Sequence, residues 1–86
     1  MTVPKSPAHM VRDKLELGAL PREDPATLLA RIGSGRTCAL CGNPILASQT
    51  ELEPRYDDKR PILVFHIVCH GLWDAARRVR RYRAYD

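Results

Sequence analysis

Cys38 and Cys41 are separated by two residues, and after twenty-four intervening residues His66 and Cys69 repeat that gap, giving C-x-x-C…H-x-x-C. No other feature constrains so short a chain as strongly. A two-residue gap lets neighbouring side chains converge on one tetrahedral ion, and two such pairs supply a full set of sulfur and imidazole donors. That is the ligand set of a closed structural zinc site. It fastens two distant segments at one point, so everything between them must leave and return. Four protein ligands fill the coordination sphere and leave no place for a reactive water, so the pattern speaks for architecture rather than catalysis.

The chain has 86 residues, enough for one domain whose core is only marginally sufficient without a metal, a disulfide or a partner. Its three cysteines cannot all pair, and two lie three positions apart. Thiolate–metal bonds in a reducing compartment fit better than a disulfide framework, and a cytoplasmic location is expected. No segment approaches the ~20 apolar residues of a membrane span, and the first nine residues lack the apolar core of a secretory signal. Net charge is +4, with five basic and four acidic groups in residues 1–35, four and four in 36–68, and five and two in 69–86. The excess therefore sits in the last segment, as Arg77, Arg78, Arg80, Arg81 and Arg83. Such a cluster is an electrostatic footprint for nucleic acid, or simply a solvated helix face.

Residues 1–7 carry two prolines and no pattern, and read as a disordered tail. Over 8–35 the sequence predicts a helical extension. Its first helix runs from Ala8 to Leu17, with Val11 and Leu15 one turn apart and Gly18 as a stop. Leu20-Pro21-Arg22-Glu23 reads as a turn. Asp24-Pro25 is a helix start, and Leu28, Leu29 and Ile32 then recur at helical spacing up to Gly33-Ser34-Gly35.

Residues 36–86 form the zinc-binding module. Cys38-Ala39-Leu40-Cys41-Gly42 has the form of a zinc knuckle, a tight turn that points backbone N–H groups at sulfur, with a glycine for the unusual backbone angle. Leu52–Tyr56 and Ile62–His66 are candidate strands of an antiparallel hairpin, turned by Asp57-Asp58-Lys59-Arg60. Pro54 would put the first strand, with Glu51 and Glu53 on it, at a sheet edge where no pocket is implied. The last helix spans about Cys69 to Tyr82. Its apolar face is Cys69, Leu72, Trp73, Ala76 and Val79, and Arg77, Arg78 and Arg81 face away. Trp73 and Phe65 are expected in the core, while Tyr82 and Tyr85 lie among arginines, a composition that can stack on bases.

His66 closes the second strand and Cys69 falls in the first helical turn, where the helix dipole favours a thiolate. His70 remains a rival to His66 as ligand because it adjoins Cys69. A redox C-x-x-C would need a thioredoxin-like context, and a haem-attachment sequence would need histidine where Gly42 stands. Three thiolates and a neutral imidazole on Zn²⁺ leave a formal charge of −1, which Arg36 or backbone N–H groups are expected to offset.

The segments Cys38-Ala-Leu-Cys-Gly-Asn-Pro-Ile45 and Phe65-His-Ile-Val-Cys-His-Gly-Leu-Trp73 resemble LIM-type and related treble-clef fingers. More closely, they resemble a group of short, uncharacterised bacterial proteins. There a Leu-Pro-Arg segment and a Gly-x-Gly hinge precede C-x-x-C-G-x-P-I, and F-H-x-x-C leads into a tryptophan-bearing helix. The likeness runs from Arg12 to Arg78. It implies an α+β treble clef (knuckle, β-hairpin, C-terminal helix) with Cys38, Cys41, His66 and Cys69 on one structural zinc ion. Against LIM domains only half the pattern is present, since no cysteine follows Cys69.

The expected function is that of a non-catalytic zinc module with no membrane or small-molecule partner. Its expected activity is binding nucleic acid through Arg77, Arg78 and Arg81. The alternative is a protein–protein adaptor that uses the N-terminal helices or the edge strand as its contact surface.

Overall fold

The computed structural model describes the backbone over residues 7–83 and the side chains over 9–78. In chain order the elements are α1 (Pro7–Glu16), β1 (Thr27–Ile32), β2 (Thr50–Arg55), β3 (Phe65–His66) and α2 (Ile67–Arg83). The strands form one antiparallel sheet in the order β1-β2-β3. The α+β class is as expected; the organisation of the N-terminal part is not.

Helix α1 follows its pattern, with Val11 and Leu15 buried. It ends in a Schellman motif. Gly18 takes φ +77°, its N–H donates to Leu15 O, and the Ala19 N–H donates to Lys14 O at 2.9 Å. That cap fixes the last turn, and with it the position of Lys14. The segment after it is held down by side chains. Trp73 Nε1–H donates to Pro21 O at 2.9 Å, Tyr56 Oη–H to Glu23 O at 3.0 Å, and Arg77 to Asp24 at 2.5 Å.

The helix expected after Asp24-Pro25 is instead strand β1. Leu28, Leu29 and Ile32 do recur at helical spacing, but Pro25 and Gly33 leave too few residues for a self-sustaining helix. Pairing wins because β2 offers partners along the whole segment, from Thr27↔Arg55 to Ile32↔Thr50. It also sets Arg31 opposite Glu51. Residues 8–35 are therefore not a helical extension: their second half is part of the module's own sheet. Gly33 is required where the strand leaves, because a Cβ there would stand 2.7 Å from Ile45 O and closer still to Leu46 O.

Two further expectations change. Strand β2 is central, not an edge. Pro54 is tolerated because the ladder bonds alternate sides: Gly33 N–H donates to Gln49 O, one step beyond Ile32↔Thr50, so odd-numbered residues of β2 bond towards β1. Pro54 thus turns its nitrogen towards β3, which has ended by the Leu52↔Phe65 pair. The hairpin is also shorter than expected, since β3 is two residues long and 56–64 is irregular. Part of the reason is that Pro54, the next residue of β2 to face that side, has no N–H to offer, while Val64, on the outer edge of β3, accepts through its O from Ala39 N–H of the knuckle at 2.8 Å.

The core lies between α1, α2 and the knuckle, built from Val11, Leu15, Leu20, Leu40, Ile45 and Phe65 around Trp73. Trp73 is fully buried and stacks on Phe65, with centroids 5.1 Å apart and planes 13° from parallel. Among the described residues no helix is long and apolar enough to cross a membrane.

Candidate metal centre

The knuckle is closed by backbone bonds that owe nothing to a metal. Thr37 bridges Pro44, Cys38 N–H donates to Asn43 O at 2.9 Å, and Gly42 N–H donates to Cys38 O at 3.0 Å. Gly42 has φ +80°, the left-handed backbone for which glycine was expected. The second ligand pair arrives on rigid elements, His66 at the end of β3 and Cys69 as the third residue of α2.

These elements bring one donor atom from each of Cys38, Cys41, His66 and Cys69 within 4.8 Å of one another, a group that could hold a metal ion. His66 Nδ1 lies 3.4 Å from Cys41 Sγ and 3.9 Å from Cys69 Sγ. In a tetrahedron with zinc–sulfur at ~2.3 Å and zinc–nitrogen at ~2.0 Å, that edge is about 3.5 Å. All three cysteines are free thiols, so no disulfide competes for the sulfurs. His66 Nε2 faces Pro44 O at 3.3 Å. A proton on Nε2 donates to that carbonyl and leaves Nδ1 with its lone pair towards the thiols, the tautomer a metal requires. His70 is not part of the group. It packs edge-on against Phe65 and Trp73 at 5.9 and 5.5 Å, and burial lowers its pKa.

The thiols divide sharply. Burial opposes ionisation of Cys38, but N–H groups of Cys41, His66 and Leu40 point at its sulfur and outweigh it, pulling the pKa down to about 6. Cys69 is pushed up to about 12, by burial and then by Cys38 and Cys41 beside it. Three gathered thiols resist becoming anions together, and a bound divalent cation would remove that resistance.

Arg36, the cation expected near the cysteines, is drawn towards the sheet. It is half-exposed and lies 3.8 Å from Glu53. The cation that reaches the knuckle is Lys14, whose Nζ donates to Ala39 O at 2.8 Å and Leu40 O at 3.0 Å. Sequence reasoning missed it, since nothing in a lone lysine on an N-terminal helix signals a contact twenty-five residues away.

It also missed the burial of Glu51 and Glu53. Both are buried on the central strand, not displayed on an edge. Glu51 accepts from Ser34 N–H and Oγ–H at 3.1 and 2.7 Å and pairs with Arg31 at 3.3 Å, while Glu53 pairs with Arg31, Arg36 and Arg55. Burial raises the pKa of Glu51, but the Ser34 bonds, Arg31 and Arg36 prevail and hold it below its ordinary value.

Of the expected phosphate contacts, Arg77 does not face away: it is buried at 3% exposure, lies over Trp73, and pairs with Asp24 and Asp74 at 2.5 and 2.6 Å. The helical wheel put it outside because it took no account of the 17–26 segment, whose Asp24 covers that face. Arg78 is exposed and pairs with Asp74 at 3.1 Å. Arg81, like Tyr82 and Tyr85, lies outside the residues whose side chains are described.

Comparison with protein-family models, with curated proteins and with solved structures returns no match.

Proposed function

We propose that this chain is a non-catalytic structural-zinc module of treble-clef type, with Cys38, Cys41, His66 and Cys69 on one zinc ion. The observation that carries it is the His66 ring, with Nδ1 turned to two thiols and Nε2 turned to Pro44 O. That is how an imidazole is held when one nitrogen is a ligand and the other fixes the tautomer. The order of knuckle, paired strands β2 and β3, and a helix bearing the second ligand pair supports the treble clef. A non-catalytic role is supported by the complete donor set, and by Glu51 and Glu53 being engaged by Ser34 and arginines. The ion supplies the positive charge that lets three sulfurs ionise together.

Metal analysis should return one zinc per chain. Structural zinc contributes ~10–16 kcal/mol in small finger domains. That is as large as or larger than the ~4–13 kcal/mol total expected for a domain of this length. Complete chelation should therefore abolish the cooperative melt followed by circular dichroism, and an unchanged melt would refute the structural role.

As contact surface, the geometry favours a protein partner at β1 over nucleic acid at α2. All six residues of β1 are exposed, and Leu28, Ala30 and Ile32 turn their N–H and C=O groups to the open side of the sheet. An extended peptide could add there as a strand. Ala30→Pro removes one outward donor and should abolish capture of such a partner while leaving the zinc content unchanged; undiminished capture would exclude the edge. Nucleic acid remains the second reading, because Arg78 is exposed and the arginine excess lies beyond it. That reading requires binding that falls steeply with salt, and it fails if none is measurable at low salt.

A further inference from the structure

We infer that Lys14 is the counter-ion of the metal centre and acts on Cys38 through two peptide groups of the knuckle. The inference rests on the zinc site proposed above.

Lys14 Nζ donates to the carbonyls of Ala39 and Leu40, at 2.8 and 3.0 Å. Each carbonyl is one end of a planar peptide unit, and the other ends are the N–H groups of Leu40 and Cys41. Both of those N–H groups point at Cys38 Sγ. The path from ammonium to sulfur is thus Nζ–H···O=C–N–H···Sγ, and it runs twice. A cation at the oxygen end of a peptide polarises it, so the N–H at the far end becomes a stronger donor. The site needs this, because three thiolates on Zn²⁺ leave one net negative charge in a place where Cys38 is 1% exposed and Cys69 8%.

The lysine is well placed to hold that position. It belongs to the last turn of α1, where its backbone carbonyl accepts from Ala19 and Leu20 in the helix cap. Arg36, the cation the sequence offered for this role, instead lies 3.8 Å from Glu53. Helix α1 is therefore part of the metal site's electrostatics as well as a cover for the core.

The test compares the full-length wild type with Lys14→Met, Lys14→Gln and Lys14→Arg. Zinc affinity is measured by competition against a chromophoric chelator, and the sulfur-to-cobalt charge-transfer band is recorded after Co²⁺ substitution. Removing the relay should weaken zinc binding about 10–100-fold in Lys14→Met, the usual cost of losing an outer partner of a metal ligand. The band should move to lower energy, because a thiolate with weaker hydrogen bonds gives up electron density more readily. Lys14→Arg should restore most of both effects, and Lys14→Gln, a neutral donor, should fall between.

Wild-type affinity with an unmoved band in Lys14→Met would overturn the relay. So would weaker binding with an unmoved band, the result expected if Lys14 merely braces α1 against the knuckle. Should Lys14→Met not fold, Lys14→Gln carries the same two measurements with the same two outcomes. A wild type that takes up no zinc sinks the site itself, a failure separate from that of the relay.

Discussion

Replacing Trp73 tests what holds α2 to the rest of the chain. Its indole makes two separable contributions, a ring stacked on Phe65 and an Nε1–H donated to Pro21 O at 2.9 Å. Trp73→Phe preserves a ring for the stack but orphans the Pro21 carbonyl, at a cost of ~1–3 kcal/mol. Trp73→Ala also loses the ring, and truncating a buried aromatic costs ~3–5 kcal/mol. With ~4–13 kcal/mol available in all, the alanine variant should lose a large share of the stability and the phenylalanine variant a smaller but clear one. Urea unfolding of the zinc-loaded protein should be followed by far-ultraviolet circular dichroism, because Trp73 is the chain's one tryptophan and fluorescence would vanish with it. A phenylalanine variant within ~0.5 kcal/mol of wild type would mean that the bond to Pro21 does not anchor the 17–26 segment. A fully stable alanine variant would refute the assignment of Trp73 to the centre of the core.

Gly33→Ala forces a methyl group into the carbonyls of Ile45 and Leu46, which are backbone and cannot swing aside. It should lower stability by up to ~3 kcal/mol, as overpacking does. Gly35→Ala meets no atom within 4 Å and violates only φ +87°, for ~1–2 kcal/mol; equal thermal shifts would show that Gly33 is not pressed against 45–46. The folded-state pKa of Glu51 lies below its ordinary value of 4.5, so its stabilising effect is complete above that pH and is lost as acid drives the pH down through the lowered value. Glu51→Gln should therefore be less stable than wild type at neutral pH and should lose less on acidification. Since acid would also release a zinc ion held by the cysteines, the measurement is the difference in urea midpoint between the two proteins, and a constant difference across the acid range would count against the Ser34–Glu51–Arg31 network. Arg77→Ala should cost stability, because it leaves Asp24 and Asp74 without their shared partner, and should leave any salt-sensitive nucleic-acid binding unchanged; an unaltered melt with lost binding would restore Arg77 as a surface contact.

The Cys38, Cys41, His66 and Cys69 cluster, Gly18, Gly42, the Val11–Leu15 pair and the inward face of α2 at Cys69 and Trp73 were legible in the sequence, because each depends on local geometry. A two-residue gap, a left-handed glycine or a one-turn spacing has the same meaning wherever the chain later goes. Whether 27–32 becomes helix or strand is different in kind: its leucines satisfy either period, and the choice falls to β2, which lies more than fifteen residues away and supplies the ladder. The same holds for charge. Sequence counts Arg77, Glu51 and Lys14 as solvated ions, and only the packed chain turns the first over Trp73, sets the second against Ser34 and Arg31, and brings the third to the knuckle carbonyls. What a metal can grip is written in spacing, whereas what a charge encounters is decided by segments that meet only on folding.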